Sequence, residues 1–305
     1  MDLSGSVIKR VYRTWDKKER MMSTHRDIIC TTKGGIFLDI RRFRLLNPSN
    51  GAVYALPEGN AHELDIGNYN TTLVFGQVAT TREYKMLRLL KSCFLVLSQE
   101  QTQLCEVFTF NGCIGARWRR KKACLFRFDR LSDVVVNGIV YFFLDEDFQE
   151  QDVACKCIVS FDLGTEEWRV THRGPLITLV GNAVDIPDSH IGYHKISMAD
   201  LNGCLVVVHC NLSSMDLWYL MDFQKSLWVK KHSIQVNLSF QRHEFEVQPL
   251  LVLNDGRIVT HIETKGLLRI YNPRTSTYTD VAEMGPRSGV GLYTGNLLSL
   301  ASTAS

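Results

Sequence analysis

Nine cysteines, nine histidines and thirty-two carboxylates could supply metal ligands, nucleophiles or acid–base pairs. Their spacing decides whether any of them meet. Cys155 and Cys157 are two apart, so on a strand both thiols share a face. A structural zinc site normally needs a second pair of ligands at short spacing. Cys105, Cys113 and Cys124 are too scattered to supply one. Reduced, buried thiols acting as small apolar side chains are the expected reading. His190 and His194 are four apart and would share a helix face, but Pro187-Asp-Ser-His-Ile-Gly-Tyr-His194 reads as a loop. No Gly-x-Ser-x-Gly turn is present, and Gly34-Gly35 precedes a strand rather than a helix, unlike a phosphate-binding loop. The carboxylate pairs Asp145/Asp147 and Glu166/Glu167 fall in predicted turns, where solvated charge is expected. No catalytic residue, cofactor-binding residue or metal ligand is therefore assigned, and the chain is not expected to be an enzyme.

One constellation is denser. Arg117-Trp-Arg-Arg-Lys-Lys122 carries five positive charges in six residues. Such a run suits a nuclear import signal or a phosphate-binding patch. The plainer reading is a solvated hairpin with Trp118 buried, and it is the one favoured. Reversing the charges from Arg119 to Lys122 without changing the nuclear fraction would dismiss import.

The elements that must position these residues are strands. Short apolar runs rich in Val, Ile, Leu and Phe recur at 134–136, 139–144, 158–161, 205–208, 251–253 and 267–271, each bounded by Gly, Asn, Asp or a polar stretch. Asn137-Gly138, Asn202-Gly203 and Asp255-Gly256 separate pairs of runs and suit tight hairpins, because these residues tolerate positive φ. A repeat is also present. An apolar residue is followed by Asp or Asn, and six residues later by an aromatic: Asp162 with Trp168, Asp222 with Trp228, Asn272 with Tyr278. Asn111 with Trp118 and Asn47 with Tyr54 are looser copies with a gap of seven. The side-chain oxygen can fix the turn, and the ring can fill the space between neighbouring sheets. The recurrence matches one four-stranded propeller blade plus insertions. A plain β-sandwich with coincidental spacing is the alternative, and the three equal gaps favour the propeller. Residues 145–152 and 181–195 read as surface insertions.

At 305 residues, 45% hydrophobic and 22% charged, the chain can bury a full core. No apolar run approaches the about 18 residues needed to cross a bilayer, and the start is not a signal peptide. A cytoplasmic or nuclear location is expected, without membrane. The net charge of +3 is too small to imply nucleic acid. Residues 1–33 hold eight Lys/Arg against four Asp/Glu, which leaves 27 against 28 for the rest. A basic arm over 1–33 is thus set apart from a balanced body over 34–305. Within the arm, Val7, Ile8, Val11, Tyr12 and Trp15 fall at helical spacing, which predicts a short amphipathic helix.

Taken in order, several segments resemble the plant F-box-associated proteins: Arg44-Leu-Leu-Asn-Pro-Ser-Asn-Gly-Ala-Val-Tyr-Ala-Leu-Pro57, Tyr84-Lys-Met-Leu-Arg-Leu-Leu90, Cys105-Glu-Val-Phe-Thr109 with Trp118-Arg119, and Val136-Asn-Gly-Ile-Val-Tyr141. Ile158-Val-Ser-Phe-Asp162 with Glu167-Trp168, Leu201-Asn-Gly203, Met215-Asp-Leu-Trp-Tyr-Leu220, Trp228-Val-Lys-Lys231, Tyr271-Asn-Pro273 and Gly291-Leu-Tyr-Thr-Gly-Asn-Leu-Leu-Ser-Leu300 complete the series. No one element is specific, but their joint order is. The resemblance covers about residues 25–300. It implies an all-β, kelch-like β-propeller of about five to six blades. It also implies a substrate receptor of SCF-type ubiquitin ligases, which joins a Skp-family adaptor and a cullin to the protein being ubiquitinated. The stretch Val7-Ile-Lys-Arg-Val-Tyr-Arg-Thr-Trp15 resembles the last F-box helix, with Val11 and Trp15 as adaptor-facing residues. The earlier F-box helices have no counterpart here, which leaves an adaptor-independent interaction scaffold as the alternative.

Overall fold

The computed structural model describes residues 19–25, 28–33, 42–57, 69–92, 103–110, 117–124, 133–144, 153–154, 157–169, 172–175, 177–178, 195–211, 214–235, 247–285 and 290–292. They form an all-β, five-bladed propeller, and none of them is helical. The expected helix over 7–15 lies outside the described residues. Blade I is β1 (Glu19–His25), β2 (Ile28–Lys33), β3 (Arg42–Leu46) and β4 (Val53–Ala55). Blade II is β5 (Tyr69–Gln77), β6 (Tyr84–Ser92), β7 (Gln103–Phe110) and β8 (Arg119–Lys121). Blade III pairs β9 (Val134–Val136), β10 (Ile139–Phe143) and β12 (Cys157–Asp162) with an outer strand in two pieces, β13 (Glu167–Trp168) and β14 (His172–Arg173). A ribbon of β11 (Val153–Ala154) and β15 (Ile177–Thr178) extends it. Blade IV is β16 (Lys195–Leu201), β17 (Cys204–Cys210), β18 (Ser214–Asp222) and β19 (Leu227–Gln235). Blade V is β20 (Val247–Val252), β21 (Ile258–Ile262), β22 (Leu267–Asn272) and β23 (Thr277–Glu283).

Two boundaries differ from the sequence reading. Residues 19–33 are the two inner strands of blade I, paired to β3, so the propeller begins before residue 34. Lys195 opens β16, so the second insertion ends before it.

Each blade is a meander, and its inner strand lies beside the next: β1 by β5, β5 by β9, β9 by β16, β16 by β20. Alternate side chains leave each sheet on opposite faces, so every seam between blades is filled from both sides. Ile28, Phe43 and Leu45 of blade I meet Phe75, Met86, Phe108 and Trp118 of blade II. Leu87, Cys105 and Val107 meet Phe142 and Phe161 across the seam of blades II and III. Equivalent clusters join III to IV and IV to V. Beyond blade V, Val290 packs back on Val259, Leu268 and Ile270 of that blade. Beside it, a Cβ on Gly291 would stand 2.0 Å from Thr24 Oγ1 of β1, an approach only glycine permits.

The turns explain the repeat. Asn47, Asp162, Asp222 and Asn272 all open the turn from the third to the fourth strand. In each, the side-chain Oδ1 accepts a backbone N–H two or three residues on, from Ser49, Gly164, Lys225 and Arg274 at 2.7–3.1 Å. Four residues after the Asx, each chain passes through positive φ: Gly51 at 71°, Glu166 at 59°, Ser226 at 49°, Ser276 at 55°. Asn111 lies outside the described residues.

The inner turns lock neighbouring blades. Asn137-Gly138 and Asn202-Gly203 have positive φ throughout, as a type I′ hairpin needs. Asn137 Nδ2 donates to Gly203 O at 2.9 Å; Asn202 Nδ2 donates to Val252 O at 2.7 Å, and Val252 N donates back to Asn202 Oδ1. Asp255-Gly256 sits in a wider turn between Val252 and Ile258. Asn202→Ala removes both bonds and strains the left-handed backbone, so a loss of about 2 kcal/mol in urea denaturation is expected.

Candidate protein-interaction surface

A propeller presents two unlike ends. The turns within hairpins, at 137–138, 163–166, 202–203, 223–226 and 273–276, gather at one end and are fixed by the bonds just described. The connections 34–41, 58–68, 93–102, 145–152, 179–194 and 236–246 all leave and re-enter the sheets at the other.

Each outer strand carries the aromatic of the repeat, and its polar handle ties blades together. Trp118 Nε1 donates to Pro57 O at 2.8 Å, Trp168 Nε1 to Lys122 O at 2.9 Å, Trp228 Nε1 to Arg173 O at 3.0 Å, and Tyr278 OH to Gln235 O at 3.2 Å. In every case the acceptor belongs to the chain leaving the preceding blade. Tyr54 differs: its ring packs on Phe108 and Phe110 of the following blade.

The basic run is strand β8 together with its flanks. Trp118 is buried, and the run is held in a folded sheet rather than offered as an extended tail. Arg119 and Lys121 face blade III and converge with Lys85 of β6 on one carboxylate. Lys85 Nζ lies 2.8 Å from Glu166 Oε1, Lys121 Nζ 2.6 Å from Oε2, and Arg119 Nη2 bonds Oε1 and Thr109 Oγ1. This corrects the expectation of a solvated Glu166, whose side chain keeps only 9% of its exposure. The left-handed turn aims it back into the seam. Burial alone would raise this carboxyl, but hydrogen bonds from Lys121, Lys85 and Arg119 overcome it and hold it at about 2. Glu167 remains exposed. The missed signal was Lys85 itself: a lysine between Tyr84 and Met86 in an apolar strand needs a buried partner.

The lowered carboxyl has a testable consequence. The fold favours the ionised form, so its contribution is complete above the ordinary value of 4.5 and is lost as pH falls toward about 2. Glu166→Gln is expected to melt below the wild type at neutral pH, with the gap closing between pH 4.5 and about 2. A gap independent of pH would contradict the ionic role.

Cys157 is half-buried in β12 and packs against the core of blades II and III. Burial pushes the Cys30, Cys105 and Cys210 thiols up to about 12, so they stay protonated. Cys124 is buried and reduced as well. Cys113, Cys155, His190, His194, Asp145, Asp147, Gly34, Gly35 and the adaptor-facing Val11 and Trp15 lie outside the described residues. Among the described residues no cluster of His, Cys, Asp and Glu could hold a metal ion, and no helix is long and apolar enough to cross a membrane.

Comparison with curated proteins finds no match. Among solved structures, a chain of a nidogen/laminin complex is similar at 9% identity and a TM-score of 0.40, covering 88% of this chain and 81% of that one. The uncharacterized protein lmo1340 from Listeria monocytogenes is similar at 12% identity and 0.41, covering 90% of each. A xylan beta-1,4-xylosidase from Bacillus halodurans is similar at 11% and 0.42, covering 86% of this chain and 50% of that one. Residues 7–289 match the family described as the F-box associated beta propeller domain. With nearly the whole blade ring inside that match, the chain belongs to the F-box-associated β-propeller family, whose domain is a non-catalytic binding module.

Proposed function

We propose that this propeller selects client proteins for an SCF-type ubiquitin ligase, acting as a protein-binding module and not as an enzyme. The observation that carries the reading is the ring of five blades tied to one another by side-chain bonds, within a family tied to F-box proteins. In this reading the client meets a surface that the ring of blades holds in place. The segment holding Val11 and Trp15 turns toward a Skp-family adaptor, and through it toward a cullin. The cytoplasm or nucleus is the corresponding compartment, and no cofactor is required.

The test is affinity purification of the full chain with mass spectrometry, beside a Val11→Glu/Trp15→Ala variant. Adaptor and cullin peptides with the wild type, lost with the variant while clients remain, are the expected result. Clients without adaptor in both preparations would replace the ligase reading with that of an adaptor-independent scaffold.

A further inference from the structure

The cluster on Glu166 is unbalanced. Arg169–Asp162, Lys230–Asp216, Arg257–Asp255 and Arg269–Asp280 each set one cation against one carboxylate. Among the described residues, Lys85, Arg119 and Lys121 share a single carboxylate, an excess of two positive charges within the cluster. Lys85 is buried and belongs to the seam between blades. Arg119 and Lys121 retain 44% and 29% of their side-chain exposure, so both also face solvent. Arg117, Arg120 and Lys122 are exposed around them. The rim is also rigid. Trp118 is anchored to Pro57 O, Lys122 O accepts from Trp168, and Glu166 fixes Arg119 and Lys121. Cations already held in place lose little conformational freedom on meeting an anion, and their mutual repulsion is relieved by one.

We propose that this rim, formed by Arg117–Lys122 of blade II beside the Glu166 turn of blade III, docks an extended segment of a client protein rich in aspartate and glutamate. The inference rests on the client-binding reading above and names the chemistry of one partner segment. Charge complementarity selects an acidic chain. β8 is the outer strand of its sheet and gives that chain an open edge to lie along. Glu166 has two roles here. It holds the cations in register, and it limits how strongly a non-specific anion is attracted.

The experiment uses the purified full chain and a fluorescein-labelled peptide of alternating glutamate and glycine, followed by anisotropy across a salt series. Two double variants are compared: Arg117→Glu/Lys122→Glu on the rim, and Lys225→Glu/Arg274→Glu on blades IV and V. Neither touches the Glu166 cluster. Saturable binding that weakens with salt is expected, reduced by about tenfold or more in the rim variant and by less than about twofold in the other. A matching glutamine peptide should not bind. Absence of saturable binding, equal losses in both variants, or tighter binding of a thymidine oligonucleotide of equal charge overturns the proposal. Such a failure leaves the receptor reading standing, because adaptor co-purification decides that one separately.

Discussion

Trp118→Ala is expected to lower the unfolding free energy by about 3–5 kcal/mol, the scale for removing a large ring from a core. The residue keeps 6% of its exposure and lies in the seam of blades I and II, 5.4 Å from the Phe108 ring centroid. The Arg88 guanidinium stands 4.2 Å from its own ring centre. Truncation opens a cavity, unsatisfies Pro57 O and removes the face on which a buried cation rests. Trp118→Phe isolates the polar part. It keeps most of the ring and loses the bond to Pro57, so about 1–2 kcal/mol is expected. Trp168→Ala and Trp228→Ala remove the same kind of anchor, but from half-buried positions, and should cost less. Urea midpoints at constant m-value give the order directly. Equal, small losses at all three sites would mean that the rings decorate the outer strands and do not join them.

These anchors also mark how far the sequence could be read. The Asx corner and the aromatic six residues later lie in one hairpin, so residue type and spacing suffice to recognise them. The partner of each ring lies in the preceding blade: Trp118 and Pro57 are 61 residues apart, Trp168 and Lys122 46, Trp228 and Arg173 55, Tyr278 and Gln235 43. Nothing local encodes those pairings, because they exist only once the ring closes. Asn137 and Asn202 were legible as turn residues through their tolerance of positive φ. Their bonds to Gly203 and Val252 of the next blade were not. Glu166 is the sharpest case. Its turn position argued for solvation, yet the left-handed backbone at that position points it inward toward Lys85, Arg119 and Lys121. Blade number became definite from the sheets, since insertions blur the period in the sequence.

The same limit applies to the second large effect, at Glu106. Glu106 is fully buried in β7, and Arg88 in β6 is nearly so. Arg88 Nε donates to Glu106 Oε2 at 2.9 Å, and Nη2 bonds the same oxygen. Arg88 and Glu106 face each other directly in the ladder, and Arg120 stands across from Glu106 on its other side. Glu106→Ala is expected to cost about 3–5 kcal/mol, because it strands a buried guanidinium that rests on the Trp118 face. Glu106→Gln keeps an acceptor and should cost less. The decisive variant is Arg88→Met/Glu106→Leu, which fills the same volume without charge. A buried ion pair recovers little more from its attraction than it lost in leaving water, so this double variant should be close to wild type in stability. The difference between it and Glu106→Ala measures the penalty of an unpaired charge, and not the worth of the pair. If the double variant unfolds as easily as Glu106→Ala, the pair itself holds blade II together, and the Trp118 seam depends on it.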